Sequence, residues 1–132
     1  MGAWGYGNFD NDTVLDWIGD LVETEGLELV SEFIEMVLDE DDLDADTASS
    51  AIGAIEVLAA LHNRPATEQH DDEDLEEWIE QHKGQGANLL EVAQKALRKI
   101  LAESELKDLW EETEHYEDWV NTVKELENRL VV

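Results

Sequence analysis

Residues 47–62 constrain the fold more than any other stretch of the chain. Their apolar residues surround the whole helical circumference instead of one face, and Glu56 is the only charged residue among them. A helix that is apolar nearly all round belongs in the interior of a domain. We therefore predict a buried central helix near 47–62, which ends before Pro65 because proline disfavours helical backbone in the residue that precedes it.

The other segments have the amphipathic spacing of helices that are half-buried on a core. Apolar residues recur at intervals of three and four in the longer segments 13–23, 27–40 and 88–103, and in shorter ones around 75–79, after Ser104 and from about Tyr116. Leu38 belongs to the apolar face of segment 27–40. We expect the helix around 75–79 to end near Gly84 and Gly86, and Ser104 to be the N-cap of the short helix that follows it.

No stretch shows the alternation of a β-strand at a convincing length. At 132 residues the chain has the size of one domain. We predict an all-α single domain, residues 1–132, with six or seven helices.

The first nine residues interleave glycines with aromatic side chains, namely Gly2, Trp4, Gly5, Tyr6, Gly7 and Phe9. Glycine allows close backbone approach, and the aromatic rings carry apolar area that has to be buried. Residues 10–13 are all of the types that cap helix N-termini. We predict that this stretch is an N-terminal plug that folds back on the helical core.

The negative charge is large and unevenly distributed. The net charge is −27, and residues 1–63 hold 16 of the 35 acidic residues and none of the eight lysines and arginines. Such a field repels nucleic acid and anionic lipid and attracts basic partners. We expect a basic protein as partner, no direct binding to nucleic acid, and no membrane association. No segment has the length and apolarity of a membrane span or the pattern of a secretory signal, so we expect a cytoplasmic protein.

The densest run of carboxylates lies at residues 39–46 and consists of Asp39, Glu40, Asp41, Asp42, Asp44 and Asp46. Asp42, Asp44 and Asp46 have the spacing of the first half of a calcium-binding loop, but Thr47 and Gly53 stand where that loop needs glycine and glutamate. An EF-hand is therefore excluded. Weak divalent-cation binding remains an alternative, which calorimetry with calcium would test. The last members of the run are expected to cap the next helix.

The five tryptophans fall mostly on apolar helix faces and are expected in the core. Trp4, which precedes the first helix, and Trp110, which adjoins two glutamates, are the two that we expect to be partly exposed. An aromatic ring beside carboxylates can receive an arginine or lysine of a partner. We therefore add Trp4 and Trp110 to the run at 39–46 as candidate interaction residues.

No motif in the chain indicates a reaction. There is no cysteine, and no nucleophile elbow, phosphate-binding loop or dinucleotide fingerprint is present. Glu112 and His115 have the spacing of one half of a di-iron motif, but we find no second such pair and interpret them as surface residues. We predict no catalytic residues, no metal ligands and no cofactor.

Several motifs indicate a family. The start has the form M-G-x-W-G-x-G-x-F-x-N-D and leads into a helix that contains L-D-W, and further matching stretches lie at 61–65, 106–112 and 119–130. The chain thereby resembles the bacterial family known as domain of unknown function 4259. The resemblance implies a small, all-helical, cytosolic bacterial protein, and it implies no activity and no functional residues.

Two functional hypotheses follow. The first is a non-enzymatic interaction module that presents its acidic first half to a basic partner, as toxin inhibitors and nucleic-acid mimics do. The alternative is a small-ligand-binding or enzymatic helical domain whose acidity is only an adaptation to its environment. Equally acidic unrelated proteins in the same organism would favour the alternative.

Overall fold

Seven α-helices follow one another along the described part of the chain, so the all-α prediction is confirmed. The computed structural model describes residues 12–24, 26–40, 43–62 and 73–130, and no β-strand occurs within these ranges. The helices are α1 (Asp12–Leu21), α2 (Glu28–Asp39), α3 (Ala45–Leu61), α4 (Glu73–His82), α5 (Leu90–Ala102), α6 (Glu105–Glu111) and α7 (Tyr116–Arg129), with a 3₁₀ turn (Ala87–Leu89) before α5. The predicted N-terminal plug lies outside the described residues. No described helix is both long and apolar enough to cross a membrane.

Helix α3 lies at the centre and packs against each of the other six helices. Thirteen of its 17 residues are buried, including Ser49, Ser50 and Glu56. The helix begins at Ala45, two residues earlier than predicted, because Asp44 is its N-cap and accepts a hydrogen bond from the Thr47 amide at 2.7 Å. Burial of a long apolar helix supplies most of the driving force for this arrangement.

Helices α1 and α2 turn their apolar stripes toward α3, as the spacing predicts. The buried residues of these two stripes are Val14, Trp17, Ile18 and Leu21 on α1, and Val30, Ile34 and Val37 on α2. Leu38, which we placed on the same apolar face of α2, is instead 39% exposed. The part of the α2 circumference that is buried is narrower than the part that is apolar. Leu38 therefore lies at the edge of the contact.

The turn between α4 and α5 depends on two glycines. Gly84 and Gly86 have φ values of +84° and +83°, a backbone conformation that residues with a Cβ rarely adopt. The Gly84 amide donates to the carbonyl of Leu61 at 2.8 Å, which ties the turn to the end of α3. The predicted stop at these glycines is therefore confirmed, since α4 ends at His82.

Ser104 is the predicted N-cap of α6, and the structure confirms it. Its Oγ accepts from the Lys107 amide at 3.0 Å and donates to the Ile100 carbonyl at 2.7 Å. Because Ser104 is buried, Ser104→Ala leaves the Lys107 amide without a partner, and we expect it to lower the free energy of unfolding by about 1–2 kcal/mol in urea denaturation.

The control for this change is Ser31→Ala. Ser31 is half-buried, and its hydroxyl donates only to the carbonyl of Glu28, three residues earlier in the same helix, at 3.1 Å. We expect Ser31→Ala to change stability by less than about 0.5 kcal/mol. Equal losses for the two variants would show that Ser104 has no capping role.

Candidate interaction surface

The outer face of α2 carries a continuous stripe of carboxylates. Glu28, Glu32, Glu35 and Asp39 are all exposed, and their spacing of four, three and four residues places them one above another along the helix. This acidic stripe lies opposite the buried side of α2 because the helix repeats every 3.6 residues. The stripe is a direct consequence of the amphipathic pattern that docks α2 on α3.

Further exposed carboxylates lie on α1 and at the start of α3. Asp16 and Asp20 are exposed on α1, and Asp44 and Asp46 are exposed at the start of α3. Asp46 also accepts a hydrogen bond from the Thr13 hydroxyl of α1 at 3.3 Å. Two of the candidate residues, Asp44 and Asp46, therefore combine exposure with a structural contact.

The loop between α2 and α3 is anchored to the second half of the chain. The Lys99 ammonium donates to the backbone carbonyl of Glu40, the Glu105 amide donates to the Leu43 carbonyl at 2.9 Å, and the Ala45 amide donates to Glu105 Oε1 at 3.0 Å. Glu40 itself is half-buried. Asp41 and Asp42 lie outside the described residues. These contacts hold the ends of the acidic run at fixed positions on the domain.

Ion pairs are concentrated in the second half of the chain. Of the seven found among the described residues, six join partners between positions 80 and 129, and the seventh joins Glu56 to Arg129. The acidic stripe of α2 enters none of these seven pairs. The exposed carboxylates of the α2 stripe therefore face solvent, while several of those between positions 80 and 129 are partly neutralised.

The pair of Glu56 and Arg129 is the one charged contact in the core of the described residues. Glu56 is 3% exposed, and Arg129 Nη1 and Nη2 donate to its two oxygens at 2.8 and 2.9 Å, while Arg129 Nε donates to Glu125 at 2.6 Å. Burial alone lowers the pKa of Arg129, but the hydrogen bonds and charges of Glu56 and Glu125 outweigh burial and raise that pKa above its usual value. Glu56 is recognisable from the sequence as a lone charge in an apolar helix, but its partner is not.

The expected partial exposure of Trp110 is wrong. Trp110 is only 6% exposed, and its ring stacks on that of Trp119 at 6.4 Å between centroids. Contact between α6 and α7 covers it, although Glu111 and Glu112 beside it are exposed. Trp110 is therefore removed from the candidate surface, and Trp4 lies outside the described residues. Trp17, Trp78 and Trp119 are buried, as predicted.

The polar segment between α6 and α7 is on the surface, as interpreted from the sequence. Glu112 and His115 are exposed, and His115 contacts Asp118 at 3.3 Å. Among the described residues, no three or more histidine or acidic side chains are grouped so that they could hold a metal ion.

Comparison with known proteins places the chain in a family. No curated protein and no solved structure matches it. A family model described as Domain of unknown function (DUF4259) matches residues 2–122, which include α1 to α6 and the first half of α7. Because this match covers nearly the whole chain, the protein belongs to the DUF4259 family.

Proposed function

We propose that this protein is a cytoplasmic, non-enzymatic interaction module that binds a basic protein through the acidic surface of its first half. The observation that carries the proposal is the separation of charges. The stripe of Glu28, Glu32, Glu35 and Asp39 is exposed, and residues 1–63 contain no lysine or arginine that could neutralise it. The carboxylates of the second half, by contrast, are interleaved with all eight basic residues of the chain.

The physical effect of such a surface is on encounter with a partner. A field of one sign accelerates association with a partner of the opposite sign, and the acceleration falls as salt screens it beyond a Debye length of roughly 8–10 Å. Toxin inhibitors and proteins that mimic nucleic acid work by this kind of complementarity. The rigid helical support for the stripe also reduces the entropy lost on binding.

Leu38 gives the surface an apolar contact as well as charge. At 39% exposure it is the only exposed large apolar side chain among the described residues, and it adjoins Asp39 of the stripe in sequence. Binding energy in interfaces comes largely from apolar contacts at the centre, with charges at the rim that set rate and specificity. A basic partner that carries an apolar residue among its lysines and arginines would contact both Leu38 and the carboxylates of the stripe.

The experiment uses the whole chain as bait. Proteins captured from host lysate at low salt are identified, and the association rate of each is then measured against the parent and the variant Glu28→Gln/Glu32→Gln/Glu35→Gln/Asp39→Asn. We expect the captured protein to be basic. At low salt the quadruple variant should associate more slowly than the parent by about 10-fold or more. The difference should shrink at moderate salt, because salt then screens the field of the parent.

A matched control removes the same number of charges elsewhere. Glu103, Glu112, Glu114 and Glu117 are exposed in the second half, and changing them to glutamine should alter the association rate less than about twofold. Equal slowing by the two sets would indicate a non-directional effect of net charge. That result, or capture that is insensitive to salt, would contradict the proposal.

A further inference from the structure

We propose that residues 1–11 dock on the side of α2 that faces α1, where their backbone accepts a hydrogen bond from the indole N–H of Trp17. This N–H group carries the proposal. Trp17 is 4% exposed, and its Nε1 is buried without a hydrogen-bond acceptor in the part of the chain that the structure describes. Because an unpaired buried donor is costly and therefore rare, the missing acceptor is expected outside the described ranges.

The side chains around this N–H group are apolar. The Phe33 ring meets the Trp17 ring edge-on, with 6.0 Å between their centroids. Leu29 and Met36 lie on the same side of α2 as Phe33, at intervals of four and three residues, and all three are only half-buried. We call these three residues the apolar flank of α2. A segment that covers the apolar flank removes further apolar surface from water.

A second unpaired polar atom lies on the same side of α2. Glu40, the C-cap of the helix, follows Phe33 by seven residues, or about two turns. Its Oε2 is buried and has no donor among the described residues. The backbone of one docked segment offers both missing partners, because it carries C=O and N–H groups along its whole length.

Residues 1–11 can reach this side of α2. They precede Asp12, the first residue of α1, and Trp17 lies about 7.5 Å further along the helix axis. A chain that turns back beside α1 spans that distance with about two or three extended residues, so the aromatic rings of the stretch come within reach of the apolar flank. The glycines between these rings allow the backbone to approach closely.

Charge and composition favour residues 1–11 over the other stretches outside the described ranges. Asp10 is their only acidic residue, so the acidic stripe repels them little. Residues 63–72 contain no phenylalanine, tyrosine, tryptophan or large aliphatic residue, and the remaining stretches are one or two residues long. The apolar flank lies about a quarter turn around α2 from the acidic stripe, so docking there leaves the stripe free and is independent of the proposed function.

Exchange of the indole N–H groups with solvent tests the contact in the full chain. Trp17→Phe and Trp78→Phe assign the two relevant signals in an isotope-labelled sample. Trp78 is the matched control, because it is equally buried and its Nε1 donates to the Thr24 carbonyl at 3.0 Å. We expect the Trp17 N–H to exchange as slowly as that of Trp78, because a hydrogen-bonded N–H exchanges only when its surroundings open.

The variant Trp4→Ala/Tyr6→Ala/Phe9→Ala removes the rings that hold the segment on the apolar flank. The Trp17 N–H should then exchange faster by about 10-fold or more, while that of Trp78 should change by less than about twofold. Equal protection of Trp17 in the parent and in the variant would overturn the proposal. Fast exchange of Trp17 in the parent would overturn it too, and would indicate a flank that is open to a partner or to a second copy of the chain.

A spin label locates the segment with its rings in place, and it gives the decisive result where the triple variant unfolds or loosens both indoles. The chain has no cysteine, so Ala3→Cys takes a single label. The label should broaden the amide signals of Phe33 and Met36 more than that of Val123 on α7. A label at the exposed Glu117→Cys on α7 should do the reverse. Equal broadening of α2 and α7 by the label at position 3 would contradict docking on the apolar flank.

Discussion

Arg129→Met should lower the free energy of unfolding by about 3–5 kcal/mol, the cost of leaving a buried carboxylate without its cation. Glu56 is almost completely buried and receives two hydrogen bonds from the guanidinium, so no solvent can replace them without unpacking α7. Urea denaturation at neutral pH measures the loss. Thermal unfolding should shift downward by roughly 10–20 °C.

Arg98→Met is the matched control for this prediction. Arg98 also pairs with a glutamate of α7, Glu127, at 2.9 Å, but its side chain is 68% exposed. An exposed ion pair contributes only about 0–1 kcal/mol, so this variant should remain close to the parent. A loss for Arg129→Met as small as that for Arg98→Met would show that Glu56 is solvated in the protein and not buried.

The helices could be predicted because their signals are local. The intervals between Val14, Trp17 and Ile18, the cap at Ser104 and the glycine stop after α4 each involve residues within one or two turns of each other. Such signals fix where a helix lies and which of its faces is apolar. They were sufficient for the fold class and for most of the helix bounds.

The exposure of single side chains at helix edges could not be predicted in the same way. Trp110 is buried because Trp119, nine residues later and on another helix, lies against it. Leu38 is exposed because the contact of α2 ends before the apolar arc does. Both outcomes depend on the angle at which two helices meet, and periodicity within one helix contains no information about that angle.

The partner of Glu56 was equally inaccessible from the sequence. A lone charge in an otherwise apolar helix requires a counter-charge, since an unpaired buried carboxylate is very costly. The chain has eight basic residues, however, and nothing local distinguishes Arg129 from the others. The acidic surface was easier to predict, because the absence of lysine and arginine from residues 1–63 is visible without any contact.

Gly53→Ala should destabilise the protein, although alanine is the better helix former. The favourable change in helix propensity is at most about 1 kcal/mol. A Cβ at Gly53, however, would lie 2.6 Å from Val14 Cγ1, and Val14 is buried and has a single preferred rotamer in a helix. Overpacking of this kind costs about 1–3 kcal/mol, so we expect a net loss of about 1–2 kcal/mol in urea denaturation.

Gly19→Ala separates the two contributions to this loss. Gly19 lies within α1, and a Cβ there would meet nothing within 4 Å. The same substitution should therefore stabilise the protein by about 0.5–1 kcal/mol, through propensity and the reduced entropy of the unfolded chain. Gly53→Ala and Gly19→Ala should thus have opposite signs.

The double variant Val14→Ala/Gly53→Ala identifies the cause of the clash. Val14→Ala removes the methyl group that the new Cβ would meet, so in this background Gly53→Ala should be neutral or stabilising by up to about 1 kcal/mol. The coupling energy between the two changes should then be about 1–3 kcal/mol, as expected for residues in direct contact. If Gly53→Ala cost the same in both backgrounds, the close approach of α1 and α3 at Val14 would not be what requires glycine at position 53, because only that approach makes the two substitutions interdependent.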